Sequence, residues 1–553
     1  MFLKRNRSRR GDKQYTSVLL VEGVRVPVPR GPGRPPSNSR PKTKIVHRTL
    51  ANLSRLPPAL VALVERYCLA ERTGQPVDAL VGDAEPVVGP AYGPLAALLV
   101  LARELGIEQA LGTERIGRLA LFLVLARVAH RGSRLSAVRW AECQAIFATL
   151  GLDSFDEDDL YAALDWLHEN QERIEKALAP APAPGALFLY DVTSSYLEGQ
   201  KNELAAPGYN RDGKRYKKQI VVGLLTDAEG EPVSVQVYEG NTSDPDTVAD
   251  QVKKLVVQFG ATEAVLVGDR GMIKTKGREL LSKHGFRYVT SLTDPEIRKA
   301  LNTGKLQMEL FDEHVTEVVA EDDRRYVLRR NPAMTDRTRS RREDQLRRVQ
   351  QKVDARNEDV AKSRRADPAV SLREANKWLK AYGLARFVCA ELHDRLVRLV
   401  MDPTARQEVE KLDGCYVVVT DVPSPIASAE QIWDRYGGLQ QVERDFRTMK
   451  TTLLELRPLY LRKATRTRAH ALVTMLALKI TRALERRVRS LGLTCEDALE
   501  RLAAVRLVSL ADPKLGLWRL PRKWVGPEAA VLAVLPPLPA PRALSLQGGA
   551  SQS

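Results

Sequence analysis

The chain has 553 residues, and its 86 Lys and Arg outnumber 69 Asp and Glu, so the formal net charge is +17. This length exceeds one ordinary hydrophobic core, and we expect two to four domains. The excess positive charge favours nucleic acid over a membrane as partner, because no basic amphipathic helix carries a bulky aromatic face. A basic but merely solvated surface is the alternative.

Cysteine, histidine and apolar patterns exclude several other classes. Five cysteines are scattered along the chain: Cys68, Cys143, Cys389, Cys415 and Cys495. Their odd number and spacing argue against a disulfide framework, and we expect small core residues in a reducing cytoplasm. The seven histidines show no ligand spacing, so zinc is not expected. The longest apolar runs, Leu95–Ala102 and Leu119–Val128, are too short to span a bilayer.

The first 56 residues are expected to form a basic, poorly packed region. Residues 1–13 read as a basic arm, and Tyr15–Val26 as a strand or a short hairpin around Glu22-Gly23. Pro27–Pro41 is a linker rich in Pro, Gly and Arg. Within it, Arg30–Pro36 resembles a minor-groove-binding hook, and a plain flexible linker is an equal alternative.

Residues 57–178 have helical periodicity. The apolar repeats fall in Leu60–Cys68, Leu95–Leu105, Ile116–Ala129 and Leu160–Leu178. Short helices with several nearby arginines suit a DNA-end-binding domain, whereas a purely structural helical cap is the alternative. An Ala/Pro segment, Ala179–Pro184, marks a domain boundary.

Residues 185–293 change to alternating strands and helices. The predicted strands are Leu187–Tyr190, Gln219–Leu225, Val233–Tyr238, Ala264–Gly268 and Phe286–Ser291, with helices at Asp246–Phe259 and Lys276–His284. Three strands, then helix, strand, helix and strand, predict a mixed sheet covered by helices. This α/β order is the one expected of an RNase H-like core.

The remaining chain is predicted to interrupt and then complete that core. Residues 294–425 form an insertion, with a charged helix near Arg337–Arg365 whose simplest interpretation is a solvated surface. Its predicted strands are Tyr326–Arg330, Arg386–Leu392, Leu396–Met401 and Cys415–Thr420. Residues 426–512 supply helices at Glu430–Leu454 and Ala469–Val488, and residues 513–553 form a tail rich in Pro, Ala and Leu.

Three carboxylates are the strongest chemical signal. Asp191 follows one predicted strand, Asp269 follows another, and Glu443 lies in the predicted helix Glu430–Leu454. Ligand sites gather where strands of one sheet end, so the presence of two such aspartates strengthens the interpretation of both as site residues. The alternative is that each aspartate simply closes a turn. Two such carboxylates and a third on a helix can converge on a pair of Mg²⁺ ions that activate water or a 3′-OH.

Basic and aromatic residues near these acids are candidate DNA contacts. Tyr436, Glu443 and Lys450 are spaced by seven and share one helical stripe, whereas the rival acid Asp445 points away from it. A second basic block joins the first two strands, with lysines and arginines interleaved with tyrosines; a charged hairpin loop is the alternative. Its members are Tyr209, Arg211, Lys214, Tyr216, Lys217 and Lys218.

Together these segments resemble an insertion-sequence DDE transposase over about residues 185–480. The resemblance rests on YDVTSSY from Tyr190, GNTSD ending at Asp244, VGDRGM around Asp269, and the block Tyr436–Lys450 with its continuation to His470. The subgroup it resembles has a Tyr-x2-Arg-x3-Glu-x6-Lys signature and a β insertion before the Glu. Leu439 stands at the Arg position here, so that phosphate contact is absent or comes from Arg435, Arg444 or Arg447.

The resemblance implies an enzyme in which Asp191, Asp269 and Glu443 hold two Mg²⁺ ions, for which Mn²⁺ can substitute. It would cleave double-stranded DNA at terminal inverted repeats, through a hairpin in this subgroup, and join the freed end to target DNA. Further DNA contacts would come from Arg270, Arg447 and Trp433, with Trp433 stacking on a displaced base unless it is a core residue. A homodimer on DNA in a prokaryotic, nucleoid-associated cytoplasmic setting is implied. A nuclease of the same fold and a catalytically dead DNA-binding derivative are the alternatives.

Overall fold

The computed structural model describes residues 1–10, 13–27, 43–73, 87–179, 181–199, 201–209, 211, 216–320, 323–363, 365–451, 454, 456, 460–509, 520–521 and 524–542. The hook-like segment Arg30–Pro36, Lys214 and the end of the predicted tail lie outside them. The chain divides into two compact units. One comprises residues 1–90, 506–522 and 543–553, and the other comprises residues 91–505 and 523–542.

The first unit contains an antiparallel three-stranded sheet. Its strands are β1 (Phe2–Arg10), β2 (Lys13–Pro27) and β3 (Thr43–Asn52), followed by helix α1 (Pro58–Thr73). The expected basic arm is therefore a strand, because β1 pairs with β2 from Phe2↔Val21 to Arg10↔Lys13 and so satisfies its backbone groups. Glu22-Gly23 lies inside β2, and the alternative of a hairpin there is wrong. A short strand β4 (Val87–Ala91) pairs with β15 (Arg506–Ser509).

The second unit begins with a bundle of helices. They are α2 (Gly93–Glu104), α3 (Ile107–Leu111), α4 (Arg115–Ala129), α5 (Arg134–Ala141), α6 (Ile146–Leu150), α7 (Glu157–Glu169) and α8 (Gln171–Leu178). Their leucine-rich faces are buried, as the periodicity predicted, and the long helix α17 (Ala464–Val488) packs against α2, α4 and α7.

The next part of the second unit is built on a mixed sheet. Its first elements are β5 (Ala186–Tyr196), β6 (Gln219–Thr226), β7 (Pro232–Glu239), α9 (Asp244–Val257), β8 (Ala264–Gly268), α10 (Thr275–Lys283) and β9 (Arg287–Ser291). The strands lie in the order β7-β6-β5-β8-β9, antiparallel up to β5 and parallel from β5 to β9. The element order confirms the predicted RNase H-like α/β core.

The segment between residues 294 and 425 adds to this sheet and also forms a small cluster of its own. Its elements are α11 (Asp294–Asn302), β10 (Thr316–Val319), β11 (Arg325–Arg330), α12 (Pro332–Lys362), α13 (Pro368–Ala381), β12 (Val388–His393), β13 (Leu396–Met401), α14 (Pro403–Glu410) and β14 (Cys415–Thr420). Strands β14, β11 and β10 continue the large sheet beyond β9, whereas α12, α13, β12 and β13 enclose a separate apolar core.

Helices complete the second unit. They are α15 (Ala429–Gly437), α16 (Leu439–Lys450), α17, α18 (Cys495–Leu502) and α19 (Glu528–Val534). None of the described helices has the length and apolarity needed to cross a membrane. Cys68, Cys415 and Cys495 are buried, whereas Cys143 and Cys389 are exposed, so the expectation that all five are core residues is wrong for two.

Candidate active site

Parallel pairing of β5 with β8 brings Asp191 and Asp269 together. The register pairs Tyr190 with Gly268. Asp191 directly follows Tyr190, and Asp269 directly follows Gly268. Neighbouring strands lie about 4.8 Å apart, so the two residues occupy adjacent rungs of the sheet. Asp269 follows β8 directly, as predicted, but β5 continues to Tyr196, so Asp191 lies within its strand instead of at the end.

Glu443 comes to this pair on helix α16. The predicted helix Glu430–Leu454 is two helices, α15 and α16, which meet at Gly438. A Cβ on Gly438 would lie only 2.7 Å from Leu189 Cδ2, so the helix junction packs directly on β5. Leu439 and Val442 are buried against the core, whereas Glu443 is exposed. The helix therefore holds Glu443 on the side of β5 that carries Asp191.

Electrostatics couple the three acids. The pKa of Asp191 is raised to about 7, chiefly by burial and to a smaller extent by the negative charges of Asp269 and Glu443, against opposing effects of the Val192 N–H and Arg211. A carboxyl group with this pKa exchanges its proton near neutral pH. A nearby divalent cation would favour its ionised form.

Tyr436 belongs to the same site through its hydroxyl group. The hydroxyl donates to Asp269 Oδ1 at 3.3 Å and lies 2.8 Å from Ser291 Oγ. Burial raises the pKa of Tyr436, so the phenol keeps its proton and acts as a donor. The sequence analysis did not identify Ser291. Its position at the end of β9, next to β8, was the signal that could have found it.

Within the described residues, no three His, Cys, Asp or Glu side chains form a group that could hold a metal ion as they stand. The chemistry of the donor set nevertheless fits a divalent cation. Asp191, Asp269 and Glu443 offer hard carboxylate oxygens, the ligands that Mg²⁺ and Mn²⁺ prefer. The charges of Asp269 and Glu443 add to the effect of burial on the pKa of Asp191, so all three carboxylates act at one place.

The basic block between β5 and β6 is partly engaged in ion pairs. Arg211 Nη2 lies 2.6 Å from both oxygens of Asp244, and Lys217 Nζ lies 2.5 Å from Glu198 Oε2. Lys218 is exposed. Arg211 and Lys217 therefore have acidic partners that the sequence analysis did not foresee.

The other predicted DNA contacts have different surroundings. Arg270 and Arg447 are exposed, next to Asp269 and on the last turn of α16. Lys450 is buried, so it does not lie on an exposed stripe with Glu443. Trp433 is half-buried, with the Arg329 guanidinium 5.5 Å from its ring centre.

Position 439 is apolar for a structural reason, since Leu439 packs in the core. Of the three arginines that could replace the missing contact, Arg444 and Arg447 are exposed on α16. Arg435 is half-buried, and its buried Nη1 atom has no hydrogen-bond partner among the residues that the structure describes. The acid Asp445 is buried and accepts a hydrogen bond from Gln441 at 3.0 Å, so it faces away from Glu443.

Comparison with known proteins assigns the chain to a family. The sequence profile of the family described as the transposase DDE domain matches residues 182–480, more than half of the chain. The chain therefore belongs to the family of DDE transposases, which cleave DNA and transfer the cut strand with the help of divalent metal ions. The matched segment contains Asp191, Asp269 and Glu443.

One solved structure is similar to the chain at low identity. It is described as the cryo-EM structure of the piggyBac transposase synaptic complex with hairpin DNA, and it is 10% identical. The match covers 74% of this chain and 76% of that chain, with a TM-score of 0.35. No curated protein sequence matches the chain.

Proposed function

We propose that this transposase cuts the terminal inverted repeats of its own insertion sequence and joins the freed 3′-OH to target DNA. The adjacency of Asp191 and Asp269 through the β5–β8 register, with Glu443 coupled to them, carries this proposal. The net charge of +17 supports binding of the polyanionic substrate.

The proposal assigns separate tasks to the residues of the site. Asp191, Asp269 and Glu443 would hold two Mg²⁺ ions, and Mn²⁺ could replace them. When bound, such ions activate the attacking oxygen and stabilise the leaving oxygen. The Tyr436 hydroxyl, supported by Ser291, orients the Asp269 carboxylate by a hydrogen bond. Arg270 and Arg447, both exposed beside the acids, contact the phosphates of the DNA strand.

Four further parts of the proposal extend to DNA and to the cell. Lys214, Lys217 and Lys218 contact the backbone of the DNA strand, and Trp433 stacks on a displaced base. The protein acts on two element ends as a homodimer. It works in the nucleoid-associated cytoplasm of a prokaryote.

The proposal is tested with a DNA fragment that carries the gene and both of its flanks. Purified protein is incubated with this fragment and Mg²⁺, beside Asp191→Asn, Asp269→Asn and Glu443→Gln variants. We expect wild-type protein to cut at matching positions on both flanks, and each variant to bind the fragment without cutting it. A joining reaction with a second, supercoiled DNA then separates transposition from simple nuclease activity.

Two results would contradict the proposal. Cleavage by Glu443→Gln at the wild-type rate would remove Glu443 from the metal site. Cuts at unrelated positions on the two flanks, without joining to the second DNA, would show a nuclease without end specificity. An Asp445→Asn variant is a matched control on the same helix, because Asp445 faces away from the acids and its substitution should preserve cleavage.

A further inference from the structure

Arg211 and Asp244 form an ion pair next to the catalytic aspartates. Arg211 Nη2 contacts both carboxylate oxygens of Asp244 at 2.6 Å, and Asp244 is the first residue of α9. The positive charge of Arg211 lowers the pKa of Asp191 and so opposes the effect of burial. The guanidinium is therefore close enough to Asp191 to act on its charge.

Two further contacts link the pair to the segments that carry the aspartates. The backbone N–H of Arg211 donates to Ser194 Oγ at 2.9 Å, and Ser194 lies on β5, three residues after Asp191. A Cβ on Gly271 would lie 3.7 Å from Asp244 Oδ2, and Gly271 follows Asp269 by two residues. Arg211 is thus tied to β5, while Asp244 lies against the loop after β8.

The backbone on both sides of the pair is held by unusually close packing. A Cβ on Gly208 would lie 2.0 Å from the carbonyl oxygen of Gly240, and a Cβ on Gly240 would lie 1.9 Å from that of Gln219. The Gln219 side-chain amide donates to the carbonyls of Tyr209 at 3.1 Å and Gly240 at 2.9 Å. Only glycine permits this close approach of the two backbones. The segment from Gly208 toward Arg211 and the segment from Gly240 toward Asp244 are therefore fixed relative to each other.

The Arg211 side chain is 28% exposed, and its guanidinium carbon lies 5.9 Å from the centre of the Tyr209 ring. Asp244 occupies only Nη2, and neither Nε nor Nη1 of Arg211 forms a hydrogen bond with any other residue the structure describes. A guanidinium carries five N–H donors in a planar fork that matches phosphate oxygens. Asp244 can therefore orient Arg211 without using the donors that a phosphate would need.

We propose that Asp244 is a positioning residue that holds Arg211 so that its free N–H groups bind a phosphate of the DNA strand at the carboxylate centre. This inference rests on the proposed function, because it takes the acids as the place where the DNA is cut. Asp244 itself does not touch the DNA. Its effect passes entirely through Arg211.

A double-mutant cycle tests this dependence. The proteins are wild type, Arg211→Ala, Asp244→Asn and the double variant. Arg211→Lys is added because it keeps the positive charge but lacks the planar guanidinium group. Binding is measured by fluorescence anisotropy in EDTA, with a labelled duplex from one flank of the gene. Cleavage of the gene-and-flanks fragment is measured with Mg²⁺ under single-turnover conditions.

We expect Arg211→Ala and Asp244→Asn each to weaken duplex binding and to slow cleavage, by about 10-fold or more for a lost charge-assisted hydrogen bond. Asp244→Asn should have no further effect once Arg211 is alanine, because its only route of action is gone. Arg211→Lys should fall between wild type and Arg211→Ala. Circular dichroism melting of each protein identifies any variant that has lost its fold, and Asp244→Asn keeps the shape of the side chain at the start of α9.

The outcomes separate this inference from the proposed function. If Asp244→Asn weakens binding and cleavage by the same factor with and without Arg211, Asp244 supports only the structure of α9 and the inference is wrong. If binding shows the coupling but the wild-type protein does not cut either flank, the proposed function fails while the positioning role stands. If the wild type cuts both flanks and the cycle is additive, only the positioning role fails.

Discussion

The packing of Gly438 on Leu189 gives a sharp test of how Glu443 is positioned. Gly438 has φ −57° and ψ −24°, which alanine adopts without strain, so Gly438→Ala changes only the side chain. The added Cβ would lie 2.7 Å from Leu189 Cδ2 and 3.1 Å from the carbonyl oxygen of Arg435. Carbon atoms normally approach to about 3.5–4.0 Å, so the overlap is on the order of 1 Å.

The size of the effect follows from the burial of Leu189. This side chain is 2% exposed and cannot move away without displacing its neighbours. Overpacking of this kind costs about 1–3 kcal/mol, and the lower backbone entropy of alanine returns about 0.5–1 kcal/mol. We expect a net loss of about 0.5–2 kcal/mol in the free energy of unfolding, the difference between those two estimates. The helix junction should also shift away from β5 and carry Glu443 with it.

Gly437→Ala is the matched control, because a Cβ at that position meets no atom within 4 Å. Urea denaturation followed by circular dichroism should show Gly438→Ala less stable than wild type and Gly437→Ala equal to it or more stable. Cleavage by Gly438→Ala should fall further than its folded fraction explains. Leu189→Ala should be less damaging in the Gly438→Ala background than in wild type. Equal stability and activity of the two glycine variants would refute the packing argument.

Three other predictions concern stability and DNA binding. Glu175 has a fully buried side chain 2.7 Å from Lys254 Nζ. Glu175→Ala should therefore lower the free energy of unfolding, measured by urea denaturation, by about 3–5 kcal/mol. Glu172 is exposed, and Glu172→Ala should leave that free energy unchanged. Burial raises the pKa of Asp445 to about 6, so its ionisation weakens the folded state as the pH rises from about 4 to about 6. The free energy of unfolding of Asp445→Asn, relative to that of wild type, should therefore rise by about 2 kcal/mol between pH 4 and pH 7. If this relative free energy is the same at both pH values, the raised pKa of Asp445 is contradicted. On α12, Arg341 and Arg348 are exposed and spaced by seven residues. Replacing both with Glu should weaken DNA binding, and the slope of log affinity against log salt concentration should fall by the amount expected for about two lost phosphate contacts. Replacing both with Lys should leave the affinity and the slope unchanged.

The fold and the acids could be predicted because their signals are local. Apolar alternation and turn residues are properties of a few neighbouring positions, and they predicted β8 and β13 with the bounds that the structure has. The same local pattern placed Asp269 directly after a strand. It failed at β1, because a strand rich in arginine carries no apolar alternation and forms only through its pairing with β2.

Contacts between distant segments were decided only by the tertiary structure. The sequence by itself determined the order of strands and helices from β5 to β9 and the three candidate acids. Only the structure decided that β5 runs past Asp191, that Tyr436 meets Asp269 and Ser291, and that Arg211 pairs with Asp244. Strand register, helix packing and the choice of ion-pair partner depend on residues far apart in the chain, and no local periodicity encodes them.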